Sequence, residues 1–326
     1  MKSIYGFTLE MLENYFVNIG EKKFKATQVY EWLYKKRIAS WDEMTNVKKE
    51  TLIQMKQYFT LNSISIVAKN VGDDVVKYLF ELEDSSKVEA VLMKHDYGNS
   101  LCVSTEVGCN MGCTFCESGR MKKVRNLETN EMVLQILKIE EDLKIRISHV
   151  VLMGIGEPFD NYENVISFIS IINSGKGIDI GARHITISTC GIIPKIKEFM
   201  KDSRQVNLAI SLHASNDTLR SKLMPINKAY PLHDLIEVLK EYIEVTGRRV
   251  TFEYVLLHEV NDTYENATEL SRLLQGMNCY VNLIPYNETS HMEYKKSSKE
   301  RILVFYDTLK KNKINVTIRR EFGAKL

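Results

Sequence analysis

VGCNMGCTFC, residues 107–116, places three cysteines at the spacing C-x3-C-x2-C. The motif follows a predicted strand, and the carboxyl ends of barrel strands are where barrel enzymes place their chemistry. Three thiolates on one tight loop can each bind one iron of a 4Fe–4S cluster, which leaves the fourth iron open to a substrate. The spacing therefore predicts that Cys109, Cys113 and Cys116 are metal ligands.

Two other interpretations of this loop stay open from the residues alone. A structural zinc ion takes four ligands, often from paired C-x2-C motifs, and only one such pair occurs here. Cys102 could supply the fourth ligand, so a zinc site remains an alternative. Three plain buried cysteines at this spacing, flanked by Gly108 and Gly112, are the poorest of the three interpretations.

Outward from the loop, short apolar segments alternate with helical patterns. Such alternation indicates buried parallel strands joined by helices. Six strand–helix units are too few to close an eight-stranded barrel, so we predict the α/β class and a partial (β/α)6 barrel. An open, doubly wound sheet would give a similar pattern. The predicted strands are 149–153, 184–188, 206–212, 250–257 and 280–285, and the predicted helices include 131–143, 162–172 and 232–245.

The first 60 residues predict a small helical module. Thr8 is placed to cap a helix that Gly20 stops, and a second helix ends in Lys35-Lys36-Arg37, where cations suit the helix dipole. A third helix carries Leu52, Met55 and Phe59 on one face. A slight excess of Lys and Arg is typical of solvated helix faces, and it also fits a surface that contacts RNA. Residues 75–106 alternate with period two and predict strands.

Composition bounds the class of protein. The 326 residues are 44% hydrophobic and 26% charged, which is typical of a globular chain. A formal net charge of +2 neither requires nor excludes a nucleic-acid partner. We see no secretory signal and no membrane-length apolar run, so we expect a cytoplasmic protein. Clustered cysteines in such a chain indicate metal or redox chemistry rather than a disulfide framework.

With Phe115 just before its last cysteine, the loop resembles that of the radical S-adenosylmethionine (SAM) superfamily. From about Phe24 to Phe322 the chain resembles the RlmN/Cfr family of RNA adenine methyltransferases. Glu157-Pro158 and RREFG at 319–323 favour its carbon-2 branch over its carbon-8 branch. Other matching stretches are VEAVLM at 88–93, SLCVSTEVGC at 100–109, LMGIGEPFDN at 152–161, ARHITIS at 182–188, QVNLAISLHA at 205–214, LMPINKAYPL at 223–232, RRVTFEYVLL at 248–257 and NLIPYN at 282–287.

The resemblance implies one 4Fe–4S cluster, and SAM as both methyl donor and radical source. The implied reaction methylates carbon 2 of an adenosine in the peptidyl-transferase centre of 23S rRNA, and of an adenosine beside the tRNA anticodon. Carbon 2 of adenine is electrophilic, so radical chemistry supplied by the cofactor suits it better than ordinary SAM methylation. The implied partners are these RNAs and an electron donor such as flavodoxin or ferredoxin, without a membrane, and we expect a monomer.

The implied domains are an N-terminal helical RNA-binding domain at 1–70, a β-hairpin extension at 71–99 and a radical SAM core barrel at 100–326. The implied SAM contacts lie in four segments at the ends of predicted strands, so we expect them to meet at one rim. Without the resemblance, each would be interpreted as a turn residue or a structural strand-end residue. These contacts are Gly156, Glu157, Ser188, Ser211, Leu212, His213 and Asn287.

Two further roles rest wholly on the resemblance. Glu89 matches the family's proton acceptor, and Cys102 matches the cysteine that resolves the protein–RNA adduct. The family also carries its methyl group on a cysteine of a C-terminal Ala-Cys-Gly-Gln motif, and this sequence has no cysteine after Cys279. We therefore expect these 326 residues to cleave SAM without transferring a methyl group. Another radical SAM activity, or an inactive RNA-binding paralogue, are the alternative functions.

Overall fold

The structure is a computed structural model that describes residues 1–62 and 64–320. The last part of the RREFG motif, Glu321-Phe322-Gly323, lies outside the described residues. The chain divides into two compact units. The first unit comprises 1–107, 125–155 and 161–185, and the second comprises 108–124, 156–160 and 186–326.

The first unit combines a helical N-terminal segment with a mostly antiparallel sheet. Its strands are β1 (Lys2–Ser3), β2 (Phe59–Thr60), β3 (Ile64–Val71), β4 (Val75–Leu82), β5 (Lys87–His95), β6 (Gly98–Cys102), β7 (Glu106–Val107), β8 (Arg125–Asn126) and β9 (His149–Leu152). Its helices are α1 (Leu9–Asn18), α2 (Phe24–Tyr34), α3 (Lys49–Tyr58), α4 (Thr129–Leu143) and α5 (Tyr162–Asn173).

Strands β3, β4, β5 and β6 pair antiparallel in that order, and β9 pairs parallel to β6. Strand β4 alternates between buried and half-buried side chains, which is the period-two pattern that its sequence predicts. Helix α1 begins as predicted, because the Thr8 hydroxyl accepts a hydrogen bond from the Met11 amide at 3.2 Å. Buried apolar residues of α4 and α5 include Ile136 and Phe168, both fully shielded from water.

The second unit is a parallel sheet with helices after its strands. Strands β10 to β14 pair parallel to one another in chain order. Parallel strands are buried on both faces, which explains why they read as apolar runs. The strands are β10 (Ile185–Thr189), β11 (Asn207–Ser211), β12 (Val250–Leu256), β13 (Cys279–Pro285) and β14 (Val316–Ile318). The helices are α6 (Ile193–Phe199), α7 (Asp217–Leu223), α8 (Leu232–Thr246), α9 (Tyr264–Leu274) and α10 (Lys299–Lys311).

Every strand predicted after the cysteine loop is present within one or two residues of its expected bounds. Strands β3 and β14 were not predicted. Strand β3 leaves most of its side chains half-buried or exposed, so its sequence lacks a buried stripe. The third predicted helix ends one residue early, because Phe59 begins β2 and pairs with Lys2 of β1. Within the described residues, no helix is long and apolar enough to cross a membrane.

Candidate active site

The cysteine loop of the second unit is folded tightly on its own backbone. Gly108 has φ +74°, and a Cβ there would lie 2.2 Å from the Lys122 carbonyl oxygen, so only glycine fits. The Cys109 amide donates to the Met121 carbonyl at 3.0 Å, and the Cys116 amide donates to the Cys113 carbonyl at 3.2 Å. These contacts fix the backbone that carries the three thiols.

The thiols of Cys109, Cys113 and Cys116 suit binding to positively charged iron. Burial, and then the charges of the Cys116 and Cys109 thiolates, raise the pKa of Cys113 to about 12. Three thiolates so close together repel one another, and iron bound to them removes that cost because a coordinated thiol is deprotonated outright. Cys109 is buried, whereas Cys113 and Cys116 are half-buried, which leaves a surface for a cluster. The donor set therefore fits an iron–sulfur cluster.

A single metal ion fits less well. Across residues 1–62 and 64–320, no three His, Cys, Asp or Glu side chains are grouped so that they could hold one metal ion. A cubane cluster differs, because its cysteine ligands bind separate irons and need not converge on one point. The zinc interpretation requires four ligands around one ion, and the described side chains do not provide them.

Glu157 lies in the turn before α5 and is almost fully buried. The preceding Gly156 has φ +110°, a conformation that favours glycine. The Glu157 carboxylate accepts hydrogen bonds from the Phe159 amide at 3.0 Å and from the Cys190 amide at 2.7 Å. Burial raises the pKa of Glu157 despite these bonds. A buried carboxylate held in this way is stabilised by a bound cation such as an ammonium group.

His213 follows β11 and is a neutral hydrogen-bond donor. Burial, and then the nearby charge of Arg220, lower the pKa of His213 to about 3. Its Nδ1 accepts a hydrogen bond from the Val255 amide at 2.9 Å, so the ring proton resides on Nε2. The ring stands edge-on to Phe115 of the cysteine loop, with centroids 4.8 Å apart. This contact brings a predicted SAM-binding segment against the predicted cluster loop.

Arg220 is the residue of this region that the sequence did not indicate. It is fully buried on α7, and its guanidinium donates to the carbonyls of Cys190 at 2.6 Å, Ser211 at 3.0 Å and Leu212 at 3.2 Å. A fourth bond, at 2.9 Å, goes to the Asn227 side chain. One cation thus joins the segments that follow β10 and β11. No motif marks it, because a helical arginine is usually solvated.

The remaining predicted SAM contacts lie at or just after the carboxyl ends of β10, β11 and β13. Ser188 is buried near the end of β10, and Ser211 is the last residue of β11. Asn287 is exposed and follows Tyr286, whose hydroxyl donates to the Phe115 carbonyl at 3.3 Å. The second unit therefore brings the predicted cluster ligands together with the predicted SAM-binding segments.

Glu89 and Cys102 belong to the first unit. Cys102 on β6 pairs with Val91 on β5, and Glu89 lies two residues from Val91, so Glu89 and Cys102 share one face as diagonal neighbours. The Glu89 carboxylate forms an ion pair with Lys77 at 2.9 Å and is partly exposed. Within the unit, the structure thus places the two residues near each other, and their catalytic roles stay predictions.

Comparison with known protein families defines the class first. The profile of the radical SAM superfamily matches residues 103–270. The profile of the ribosomal RNA large subunit methyltransferase N-terminal domain matches residues 2–61. A crystal structure of a radical SAM methyltransferase from Sphaerobacter thermophilus is similar, with a TM-score of 0.94 and 38% identity, covering 100% of this chain and 97% of that one. This match confirms the predicted α/β class and the partial (β/α)6 barrel with its small N-terminal helical domain.

The particular family follows from full-length relatives. The protein named "Probable dual-specificity RNA methyltransferase RlmN" in Spiroplasma citri is 52% identical over 99% of this chain and 94% of that protein. Its namesake in Enterococcus faecalis is 53% identical over 99% of this chain and 93% of that protein. The chain therefore belongs to the RlmN family of radical SAM RNA methyltransferases. The cofactors of this class are a 4Fe–4S cluster and SAM, as predicted.

Proposed function

We propose that this protein methylates carbon 2 of an adenosine in the peptidyl-transferase centre of 23S rRNA, and of the adenosine beside the anticodon in tRNA. The observation that carries the proposal is a contact between the predicted cluster-binding loop and a predicted SAM-binding segment. The Phe115 ring of the cysteine loop packs against the ring of His213. The names of the relatives, which state dual specificity for RNA, support both substrates.

In this proposal, Cys109, Cys113 and Cys116 would hold a 4Fe–4S cluster, and this cluster would supply the electron needed to cleave SAM. Glu157 accepts the ammonium group of SAM, because its buried carboxylate is already oriented by two backbone amides. The His213 ring stays neutral, so its Nε2–H would be available to donate a hydrogen bond to SAM without adding a positive charge to the site. Phe115 packs against the His213 ring, and Phe115 and Val255 belong to one apolar cluster beside these groups.

The remaining SAM contacts are proposed on the strand ends, at Gly156, Ser188, Ser211, Leu212 and Asn287. Glu89 is proposed as the proton acceptor and Cys102 as the resolving thiol, and their shared sheet face supports joint action on one substrate atom.

The organisation of the chain enters the proposal as well. Residues 1–70 form the RNA-binding accessory domain, 71–99 the extension and 100–326 the core, and the profile match over residues 2–61 supports the first of these. The proposed location is the cytoplasm, where rRNA and tRNA are found, and the proposed oligomeric state is a monomer. An electron donor such as flavodoxin or ferredoxin would reduce the cluster.

The test is a nucleoside analysis of RNA from cells. The 326 residues, followed by a C-terminal segment with the Ala-Cys-Gly-Gln motif, are produced in a host that lacks adenine C2 methylation. The 23S rRNA and tRNA of this host are digested and analysed by mass spectrometry. We expect 2-methyladenosine in both RNAs, and none in cells that produce the Cys113→Ala variant. Finding 8-methyladenosine instead would refute the carbon-2 assignment, and finding methylation in only one RNA would refute dual specificity.

A further inference from the structure

A loop that follows β13 in the second unit lies against the cysteine loop. It comprises residues 288–297, and we call it the strap. The Thr289 hydroxyl donates to the Glu117 carboxylate at 2.5 Å. The hydroxyls of Tyr294 and Thr114 form a hydrogen bond of 2.7 Å. Two strap side chains therefore hold two side chains of the cysteine loop.

Both contacts lie next to cysteines that are predicted to bind the cluster. Thr114 directly follows Cys113, and Glu117 directly follows Cys116. Tyr294 also packs against the same apolar cluster as Cys113. Consecutive Cα atoms are about 3.8 Å apart, so a side chain fixed at one residue limits how far the backbone of its neighbour moves. The strap therefore restrains the backbone of two of the three cysteines.

The strap is itself fixed at its far end. The Lys295 carbonyl accepts a hydrogen bond from the His258 amide, in the turn after β12, at 2.9 Å. Ser297 is buried, and its hydroxyl donates to the Asp262 carboxylate at 2.6 Å. The guanidinium of Arg301 on α10 donates twice to the same carboxylate, at 2.8 Å and 2.6 Å. Because it is tied to α10 and to the turn after β12, the strap can resist movement of the cysteine loop.

Glu117 has two other neighbours, and both lie at the surface. Arg120 is 3.7 Å from its carboxylate and His291 of the strap is 3.5 Å away, with side chains 51% and 62% exposed. Ion pairs between groups this exposed contribute little to stability. The shorter bond from Thr289 is therefore the main restraint on Glu117.

We propose that the strap holds Cys113 and Cys116 in position for the iron–sulfur cluster, with Thr289 and Tyr294 as positioning residues. Iron leaves the protein when the cysteine loop opens locally, and contacts that break during opening make it slower. One such hydrogen bond slows release by about two- to tenfold. The inference concerns retention of the cluster, so it is independent of which RNA is methylated.

The experiment measures release of the cluster rather than turnover. Anaerobically purified, cluster-loaded protein is mixed with excess EDTA, and the decay of the iron–sulfur absorbance gives the rate of loss. We expect Thr289→Val and Tyr294→Phe each to lose the cluster about two- to tenfold faster than the wild type, because each lacks one hydroxyl. Thr289→Ser keeps the hydroxyl and should release the cluster at nearly the wild-type rate.

Two controls separate positioning from a general loss of stability. Tyr264→Phe, at an exposed position of α9, is the matched control for Tyr294→Phe and should leave the rate unchanged. Glu117→Met removes the acceptor of the Thr289 hydroxyl. In the Glu117→Met protein, Thr289→Val should therefore accelerate release much less than it does in the wild type, because both changes break the same bond.

Three results would overturn the inference. Rates of cluster loss in Thr289→Val and Tyr294→Phe that equal the Tyr264→Phe control would mean that the strap does not restrain the cysteine loop. Equal acceleration by Thr289→Val with and without the Glu117 carboxylate would assign the effect to another contact. A wild-type protein that binds zinc in place of iron would refute the cluster and, with it, this inference. If Thr289→Val fails to fold, Tyr294→Phe and Thr114→Val test the second contact by the same cycle.

Discussion

Replacing Arg220 by methionine tests whether one buried cation holds the predicted SAM-binding segments together. Methionine keeps the unbranched length of the side chain and removes every donor. The carbonyls of Cys190, Ser211 and Leu212 then lose their bonds to the guanidinium. Each buried carbonyl left without a partner costs about 1–3 kcal/mol, so the free energy of unfolding should fall by about 3 kcal/mol or more. For a domain of this size that corresponds to a drop in Tm of roughly 6 °C or more.

The assay is thermal unfolding with and without SAM. Because the guanidinium joins the segments after β10 and β11, Arg220→Met should also reduce the stabilisation that added SAM gives. Arg220→Lys keeps the positive charge but lacks the several N–H donors of the planar guanidinium. Its free energy of unfolding should therefore lie between those of the wild type and Arg220→Met. Arg272→Met, on the exposed side of α9, is the control and should change the free energy of unfolding by less than about 0.5 kcal/mol. An Arg220→Met protein as stable as this control would refute the reasoning.

Three further predictions concern single groups. Glu157→Gln should weaken SAM binding roughly ten- to hundredfold in calorimetry, because a charge-assisted hydrogen bond is lost. The iron content of the variant should stay unchanged. A variant that binds SAM as tightly as the wild type would mean that the ammonium group of SAM binds elsewhere. Cys113→Ala should abolish the iron–sulfur absorbance of anaerobically purified protein, and stoichiometric zinc without iron in the wild type would contradict the cluster. His213 has a folded pKa of about 3 against about 6.5 in the unfolded chain, so the unfolded state binds the extra proton as pH falls between these values. The free energy of unfolding should therefore decrease with falling pH in that window by up to about 1.4 kcal/mol per pH unit, and His213→Asn should lose that part of the slope in pH-dependent denaturation.

The sequence predicts the features that are local or periodic. Strands β10, β11 and β12 are evident because consecutive side chains on both faces are buried, which leaves continuous apolar runs. Strands β9 and β13 alternate between buried and half-buried side chains. The cysteine loop is evident because its three cysteines lie within eight consecutive residues. The resemblance adds Glu157 and His213 as SAM contacts, and the structure adds how each is held, by the Cys190 and Val255 amides respectively.

Features that depend on distant partners were not predictable. Arg220 acts on carbonyls of residues that precede it by up to thirty positions, and nothing in its own neighbourhood indicates that it is buried. A second example is the row of paired polar residues across β11 to β14, which exists only in the register of four strands, so no single segment contains it. The row consists of Ser211, Glu253, Asn282 and Thr317. Strand β14 has three residues, of which one is buried, which is too short for a periodic signal.

The central claim is that the cysteine loop and the SAM-binding segments together support carbon-2 methylation of adenosine in RNA. The most direct measurement uses cluster-loaded protein in which the 326 residues are followed by a C-terminal segment with the Ala-Cys-Gly-Gln motif. This protein is incubated anaerobically with a reductant, methyl-labelled SAM and an unmodified 23S rRNA fragment. The products are separated as nucleosides by mass spectrometry. We predict 5′-deoxyadenosine together with labelled 2-methyladenosine, both dependent on Cys113. Labelled 8-methyladenosine, or 5′-deoxyadenosine without any methylated adenosine, would contradict the claim.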